Sequence, residues 1–109
     1  MISTTRQRLP DRRENETVDL MFDGHRYHVT VGFALDGRPR EVFCHGGKVG
    51  SAMDLILDDA CVALSLLLQY GIEPRDLGHS MGRLGDGAAA SIIGALVDLV
   101  SSSERERAK

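Results

Sequence analysis

The sequence predicts an α+β domain, in which a three-stranded antiparallel meander is covered by one long helix and two shorter helices. Two observations carry this prediction. Apolar and polar residues alternate through the first half of the chain, and Asp-Gly pairs at 23–24 and 36–37 interrupt the alternation. Helix-like apolar periodicity then fills residues 51–70 and recurs near the end. Strands followed by helices are typical of the α+β class.

The three strands follow from the alternation and the turn chemistry. From Thr17 the first strand carries apolar residues at every second position, and the Asp-Gly pair at 23–24 returns the chain as a hairpin. The second strand alternates in the same way. The second Asp-Gly pair, followed by Pro39, leads into a third strand at about 40–45. The apolar positions of the first two strands are Val18, Leu20, Phe22, Tyr27, Val29, Val31 and Phe33.

The long helix has both a start and a stop signal. Ser51 followed by Asp54 approximates a capping box, and Gly71 is well placed as the C-terminal stop. Two shorter helices are predicted from Pro74 to about residue 81 and from residue 88 to 100, with a linker between them.

The long helix is apolar on nearly all sides, which predicts burial on two sides. We expect one face to cover the sheet and the second to contact another helix or another subunit, most simply in a homodimer. The first face is marked by Met53, Leu57, Ala60, Leu64 and Leu67. The second, the predicted interface, is marked by Leu55, Val62 and Leu66. Only a narrow polar strip remains, formed by Asp54, Asp58, Ser65 and Gln69.

The two ends of the chain are polar. Residues 1–16 are rich in charge and lack hydrophobic periodicity, so a disordered arm is expected there. The domain is expected at 17–100, and residues 101–109 are expected to form a solvated tail. The N-terminal stretch has no apolar core of a secretory signal, and the longest apolar stretch, at 60–68, is too short to span a bilayer. These features predict a cytoplasmic protein that does not enter a membrane.

Charge and cysteine content argue against nucleic acid as a partner and indicate a reducing compartment. The net charge of −3 gives no general attraction for nucleic acid, and the start of the long helix carries aspartates where a double-stranded-RNA-binding domain would carry cations. Cys44 and Cys61 can form at most one disulfide. Free thiols in a reducing compartment are expected.

The segment EVFCHGGKVGSAMDLI at 41–56 contains the candidate ligand site. It is not a P-loop, because Lys48 is followed by Val49 and no glycine stands five residues before Gly47. A helix N-terminus beside glycines and a lysine could still hold an anion or a nucleotide. The alternative is that the glycines only permit a tight turn. The candidate residues are Gly46, Gly47, Lys48, Gly50 and Ser51, with His45 and Arg83 nearby.

No metal site, cofactor or catalytic residue is predicted. Cys44 and His45 are neighbours on a strand, so their side chains point to opposite faces, and His25 and His28 also diverge. There is no C-x-x-C or H-x-x-x-H spacing. An enzyme would need a cleft in which Cys61 or His79 meets a base.

Five segments together resemble the TSCPD domain family. They are DGRPREVF at 36–43, GGKVGS at 46–51, LLLQYGIEP at 66–74, DLGHSMGR at 76–83 and ASIIGALVDLV at 90–100. The resemblance covers about 27–100. Where the Thr-Ser-Cys-Pro-Asp segment that names the family should lie, this chain reads GDGAAAS at 85–91.

The TSCPD domain occurs as a C-terminal module of adenosylcobalamin-dependent ribonucleotide reductases and as small separate proteins. The resemblance implies kinship with these reductases without their chemistry, because 109 residues are too few for the radical-bearing barrel. The favoured hypothesis is a non-catalytic module that self-associates or docks onto a partner, such as a ribonucleotide reductase subunit. The alternatives are a nucleotide- or anion-binding regulatory domain and a small enzyme of unknown reaction.

Overall fold

Three strands precede three helices in the computed structural model, which describes residues 2–46 and 51–103. The strands are β1 (Asn15–Phe22), β2 (His25–Phe33) and β3 (Pro39–Gly46). The helices are α1 (Ala52–Gln69), α2 (Pro74–Ser80) and α3 (Ile92–Ser102). The strands form one antiparallel sheet in the order β1-β2-β3. The predicted α+β class and meander are confirmed.

Both Asp-Gly pairs form turns, as predicted. Asp23 and Gly24 have φ angles of 51° and 77°, and two successive positive φ values are typical of the type I′ turn that joins tightly paired strands. Gly37 also has a positive φ, of 84°. Its amide donates to the Ala34 carbonyl at 3.0 Å, which closes the turn between β2 and β3.

The core lies between one face of the sheet and the three helices. Alternate residues of β2 and β3 point into it and meet side chains of α1 and α3. The other sheet face carries mostly exposed polar side chains, as alternation requires. The largest fully buried side chains are Phe33, Leu57, Leu68, Leu96, Val29, Val31, Val42 and Cys44.

Helix α1 packs along β3, whose outer edge would otherwise leave backbone groups unpaired. The Ser65 hydroxyl accepts from the Val42 amide at 3.0 Å and donates to the Val42 carbonyl at 3.3 Å. Gln69 Nε2 donates to the Arg40 carbonyl at 3.1 Å, and Arg40 Nη1 donates to the Leu68 carbonyl at 2.6 Å. Side chains of α1 therefore satisfy backbone groups of an edge strand.

These hydrogen bonds correct the predicted orientation of α1. The sequence predicts Ser65 and Gln69 in a polar strip, but both are buried, because β3 offers them hydrogen-bonding partners. The sequence predicts Met53 and Leu67 on the sheet-facing side, but both are exposed. The buried face of α1 consists of Leu57, Cys61, Leu64, Ser65, Leu68 and Gln69.

The segment before β1 makes specific contacts with the end of α1. The amides of Ser3 and Gln7 donate to the carbonyls of Tyr70 and Gln69, both at 2.8 Å. The carbonyls at the end of a helix lack partners within the helix, so this segment acts as a C-terminal cap. Arg13 also pairs with Glu41 at 2.8 Å. The sequence predicts a disordered arm at 1–16 and does not predict these contacts.

Several predicted boundaries differ from the observed ones by one to four residues. β1 begins at Asn15, two residues before the predicted start of the domain at Thr17. α3 begins at Ile92, after the N-cap Ser91, and not at residue 88 as predicted, because residues 84–88 form a turn. It continues to Ser102, beyond the predicted end at Val100. Among the described residues, no helix is both long and apolar enough to cross a membrane.

Candidate functional site

The predicted ligand turn joins the end of β3 to the start of α1. Gly46 is the last residue of β3, and Ser51 is the N-cap of α1, where its hydroxyl accepts from the Asp54 amide at 3.1 Å. The predicted helix start is confirmed. Three further candidates, Gly47, Lys48 and Gly50, lie outside the described residues.

A cleft of about 480 Å³ opens beside this turn. It lies between the end of the β1–β2 hairpin, the β3–α1 junction and the first turn of α3. The structure therefore places Gly46 and Ser51 together with side chains that sequence analysis did not connect to them, because the strands and α3 meet only in the folded chain. The lining residues are Phe22, Asp23, His25, Tyr27, Gly46, Ser51, Met53, Ser91 and Ile92.

Gly46 has a packing role in this cleft. A Cβ atom built at this position would lie 2.5 Å from Cδ1 of Tyr27 and 3.1 Å from the carbonyl oxygen of Arg26. The Tyr27 ring therefore occupies space that any side chain at residue 46 would need. This contact supports the structural interpretation of Gly46 that the sequence analysis left open beside the ligand-binding one.

Arg83 has other partners than the predicted turn. Its guanidinium forms two hydrogen bonds with the Asp98 carboxylate, at 2.5 and 2.8 Å, and donates to the Gly78 carbonyl at 2.8 Å. The hydrogen bond from Arg83 holds the pKa of Asp98 below its usual range. Arg83 therefore ties α2 to α3 and is absent from the described lining of the cleft.

His45 lies on the other side of the sheet. Its neighbours in the sequence alternate with it, so Cys44 points into the core while His45 is exposed on the solvent face. The strand register places His45 directly opposite His28. Of the seven predicted ligand residues, Gly46 and Ser51 therefore line the cleft, whereas His45 and Arg83 lie away from it. The other three lie outside the described residues.

The sequence matches the profile of the TSCPD domain over residues 3–102. The chain belongs to the TSCPD domain family. The match begins well before Tyr27, the predicted start of the resemblance, so it includes the segment that caps α1. No solved structure matches the chain.

Three relatives carry the name vitamin B12-dependent ribonucleotide reductase. The protein from Rhodopirellula baltica is 42% identical over 67 residues, which is 62% of this chain. Those from Agrobacterium fabrum and Bradyrhizobium diazoefficiens are 35% and 33% identical over 65% and 66% of the chain. In each case the match covers 6% of the relative's own length. The TSCPD domain here is thus similar to one small part of each reductase.

The segment at 85–91, which differs from the family's name-giving motif, belongs to a tight turn. The Gly87 amide donates to the Leu84 carbonyl at 2.9 Å, and the Leu84 amide donates to the Ala88 carbonyl at 2.8 Å. Gly87 has a φ of 87°, a conformation that favours glycine. In this TSCPD domain the segment therefore turns the chain towards α3, and its sequence provides no thiol.

The two cysteines of this TSCPD domain are buried free thiols, as predicted. Burial, with smaller effects from Asp54 and Asp58, raises the pKa of Cys44 to about 11. Burial, with a smaller effect from Cys44, raises the pKa of Cys61 to about 12. Thiolates are the reactive form of cysteine, so both thiols are poor nucleophiles near neutral pH.

The side of α1 that faces away from β3 exposes an apolar surface. We define the outer face of α1 as Leu55, Ile56, Asp59, Val62 and Leu66. The three predicted interface residues are substantially exposed: Leu55 by 58%, Val62 by 57% and Leu66 by 37%. Helical spacing brings these side chains to one side of the helix. Asp59 is the charged residue among these five. α1 contains no Lys, Arg or His that could pair with it within the helix.

Proposed function

We propose that this TSCPD domain is a non-catalytic module that acts through protein association at the outer face of α1. The exposed apolar residues of that face carry the proposal, because contiguous apolar surface of this kind is typical of interaction sites. The buried, protonated thiols support a non-catalytic role. A reducing cytoplasm, which keeps thiols free, is the compartment that fits them.

A second copy of the chain is the partner that we propose first. Two copies related by a twofold axis would place identical outer faces together, and each apolar face would cover the other. The kinship with vitamin B12-dependent ribonucleotide reductases makes such a reductase chain the second proposed partner.

Substitution of Leu66 by Asp tests the role of the outer face. Placing a charge at a partly exposed apolar position should weaken association roughly tenfold or more, as for a residue that contributes strongly to an interface. Light scattering coupled to size-exclusion chromatography would give the mass of each variant over a dilution series.

Leu35→Asp is the matched control, because Leu35 is 92% exposed on the turn between β2 and β3. It should associate like the wild type. Equal weakening by both substitutions would contradict a specific role for α1. The second proposed partner is tested by mixing a purified vitamin B12-dependent ribonucleotide reductase from the same organism with each variant. The wild type and Leu35→Asp should co-elute with the reductase on size-exclusion chromatography, and Leu66→Asp should not.

The cleft beside Gly46 and Ser51 favours a second candidate function, the binding of a nucleotide or another anion. Its volume of about 480 Å³ lies within the usual range for small-molecule sites. It combines the Tyr27 ring and the His25 imidazole with the hydroxyls of Ser51 and Ser91. Lys48 lies two residues after Gly46 in the sequence and could add a positive charge.

Calorimetric titration with ATP and with inorganic pyrophosphate tests this candidate. Lys48→Ala should abolish measurable binding of both probes, because it removes a cation close in sequence to the cleft residues. Arg75→Ala, which removes an exposed cation of α2, is the control and should bind like the wild type. Unchanged affinity in Lys48→Ala would exclude the site.

A further inference from the structure

A row of three polar side chains crosses the exposed face of the sheet. The register pairs Asp19 of β1 with His28 of β2, and His28 with His45 of β3. We call Asp19, His28 and His45 the histidine row. Paired residues in a sheet project from the same face, with Cβ atoms of directly opposite residues about 5 Å apart. The two imidazoles therefore start from adjacent positions on a surface that is open to solvent.

Asp19 fixes the orientation and the tautomer of the His28 imidazole. Its Oδ1 lies 2.8 Å from Nδ1 of His28. A carboxylate accepts hydrogen bonds, so Nδ1 carries the proton and Nε2 of the neutral ring keeps its lone pair. The same arrangement of carboxylate and imidazole orients histidine ligands in metalloproteins and makes them more basic. The side chains of His28 and Asp19 are 59% and 53% exposed, so an ion can reach them.

We propose that His28 and His45 bind a divalent transition-metal ion, with Asp19 as the residue that positions His28 and water in the remaining coordination positions. Two imidazole ligands favour Cu²⁺, Ni²⁺ and Zn²⁺ over Mg²⁺ and Ca²⁺, which prefer oxygen ligands. Cys44 cannot take part, because it points into the core on the other side of β3.

The charges around the histidine row define the strength of the site. Asp19 supplies a negative charge, but Nε of Arg26 lies 3.9 Å from its second oxygen and offsets part of it. The described residues contain no set of three His, Cys, Asp or Glu side chains arranged to hold a metal ion. The proposed site therefore has two protein ligands, and its affinity rests on both.

Sequence analysis missed this pair because it compared histidines within single strands. His25 and His28 diverge on β2, and His45 has only Cys44 beside it in the sequence. The juxtaposition of His28 and His45 depends on the register between β2 and β3, which the meander alone does not define.

Calorimetric titration of the untagged full chain with Zn²⁺ tests the proposal. We expect one ion per chain. His28→Ala and His45→Ala should each weaken binding by more than the roughly tenfold that loss of an outer-shell partner costs, and Asp19→Asn should weaken it roughly tenfold. His25→Ala and His79→Ala are matched controls at exposed histidines elsewhere, and both should bind like the wild type.

A measurement on the wild type makes the test independent of the folding of the variants. Substoichiometric Cu²⁺ should broaden the imidazole NMR signals of His28 and His45 before those of His25 and His79. Absence of Zn²⁺ binding, equal affinity in the His28→Ala and His45→Ala variants, or equal broadening of all four imidazoles would each overturn the proposal. The site lies away from the outer face of α1, so the result of the metal titration does not depend on whether the proposed association occurs.

Discussion

At the scale of single residues, buried polar side chains help to orient α1 on the sheet. Ser65 and Gln69 are buried because they exchange hydrogen bonds with the backbone of β3. A buried polar group is costly when it lacks a hydrogen-bonding partner. Here the side chains of Ser65 and Gln69 pair with backbone groups of β3. The same contacts turn Leu55, Val62 and Leu66 outwards, which creates the exposed apolar face.

The buried thiols predict how stability depends on pH. The folded-state pKa values of Cys44 and Cys61, about 11 and 12, lie above the ordinary value of 9.0. Above pH 9 the unfolded chain releases these protons while the folded chain retains them, so the folded state binds more protons. The stabilisation is complete below pH 9 and is lost as the pH rises through the folded-state values.

Urea denaturation between pH 8 and 11 measures this effect. The free energy of unfolding should decrease more steeply with pH in the wild type than in Cys61→Ala. That variant is expected to be less stable throughout, so the slope is the relevant quantity. Identical slopes in the two proteins would show that the Cys61 thiol titrates alike in the folded and unfolded states.

At the scale of elements, α1 has two different apolar sides. One side meets β3 and contributes Leu57, Cys61 and Leu64 to the core. The other side carries Asp59 among exposed apolar residues. In a twofold dimer the same face contributes from each copy, so both Asp59 carboxylates would enter one interface and repel each other.

Asp59→Asn should therefore strengthen self-association several-fold, because it removes like charge while keeping the shape of the side chain. Sedimentation velocity over a concentration series gives the dissociation constant. Asp76→Asn, at an exposed acid on α2, is the control and should leave it unchanged. Weaker self-association of Asp59→Asn would contradict a twofold contact that brings the two Asp59 carboxylates together, and would favour a contact in which a basic residue lies opposite Asp59.

At the scale of the whole molecule, local signals in the sequence predict the architecture but not the contacts between elements. Asp-Gly turns, strand alternation and the Ser51 cap depend on neighbouring residues, and all are confirmed. The inward position of Gln69 depends on the edge of β3, and the Arg83–Asp98 pair joins the connection after α2 to α3. Such contacts follow from tertiary packing, which a single sequence does not display.

The segment before β1 shows the same limit. Its polar composition predicts disorder, yet the amides of Ser3 and Gln7 cap α1 in the structure. The family match also begins at residue 3, so this segment lies within the matched TSCPD domain. A helix end with unpaired carbonyls needs partners, and the sequence alone does not identify which segment supplies them.

Sedimentation equilibrium of the wild-type chain tests the proposed association most directly. The chain has a mass of 11.9 kDa, and self-association through α1 predicts a species of twice that mass at high concentration, which dissociates on dilution. A mass of 11.9 kDa at every attainable concentration would contradict the homodimer.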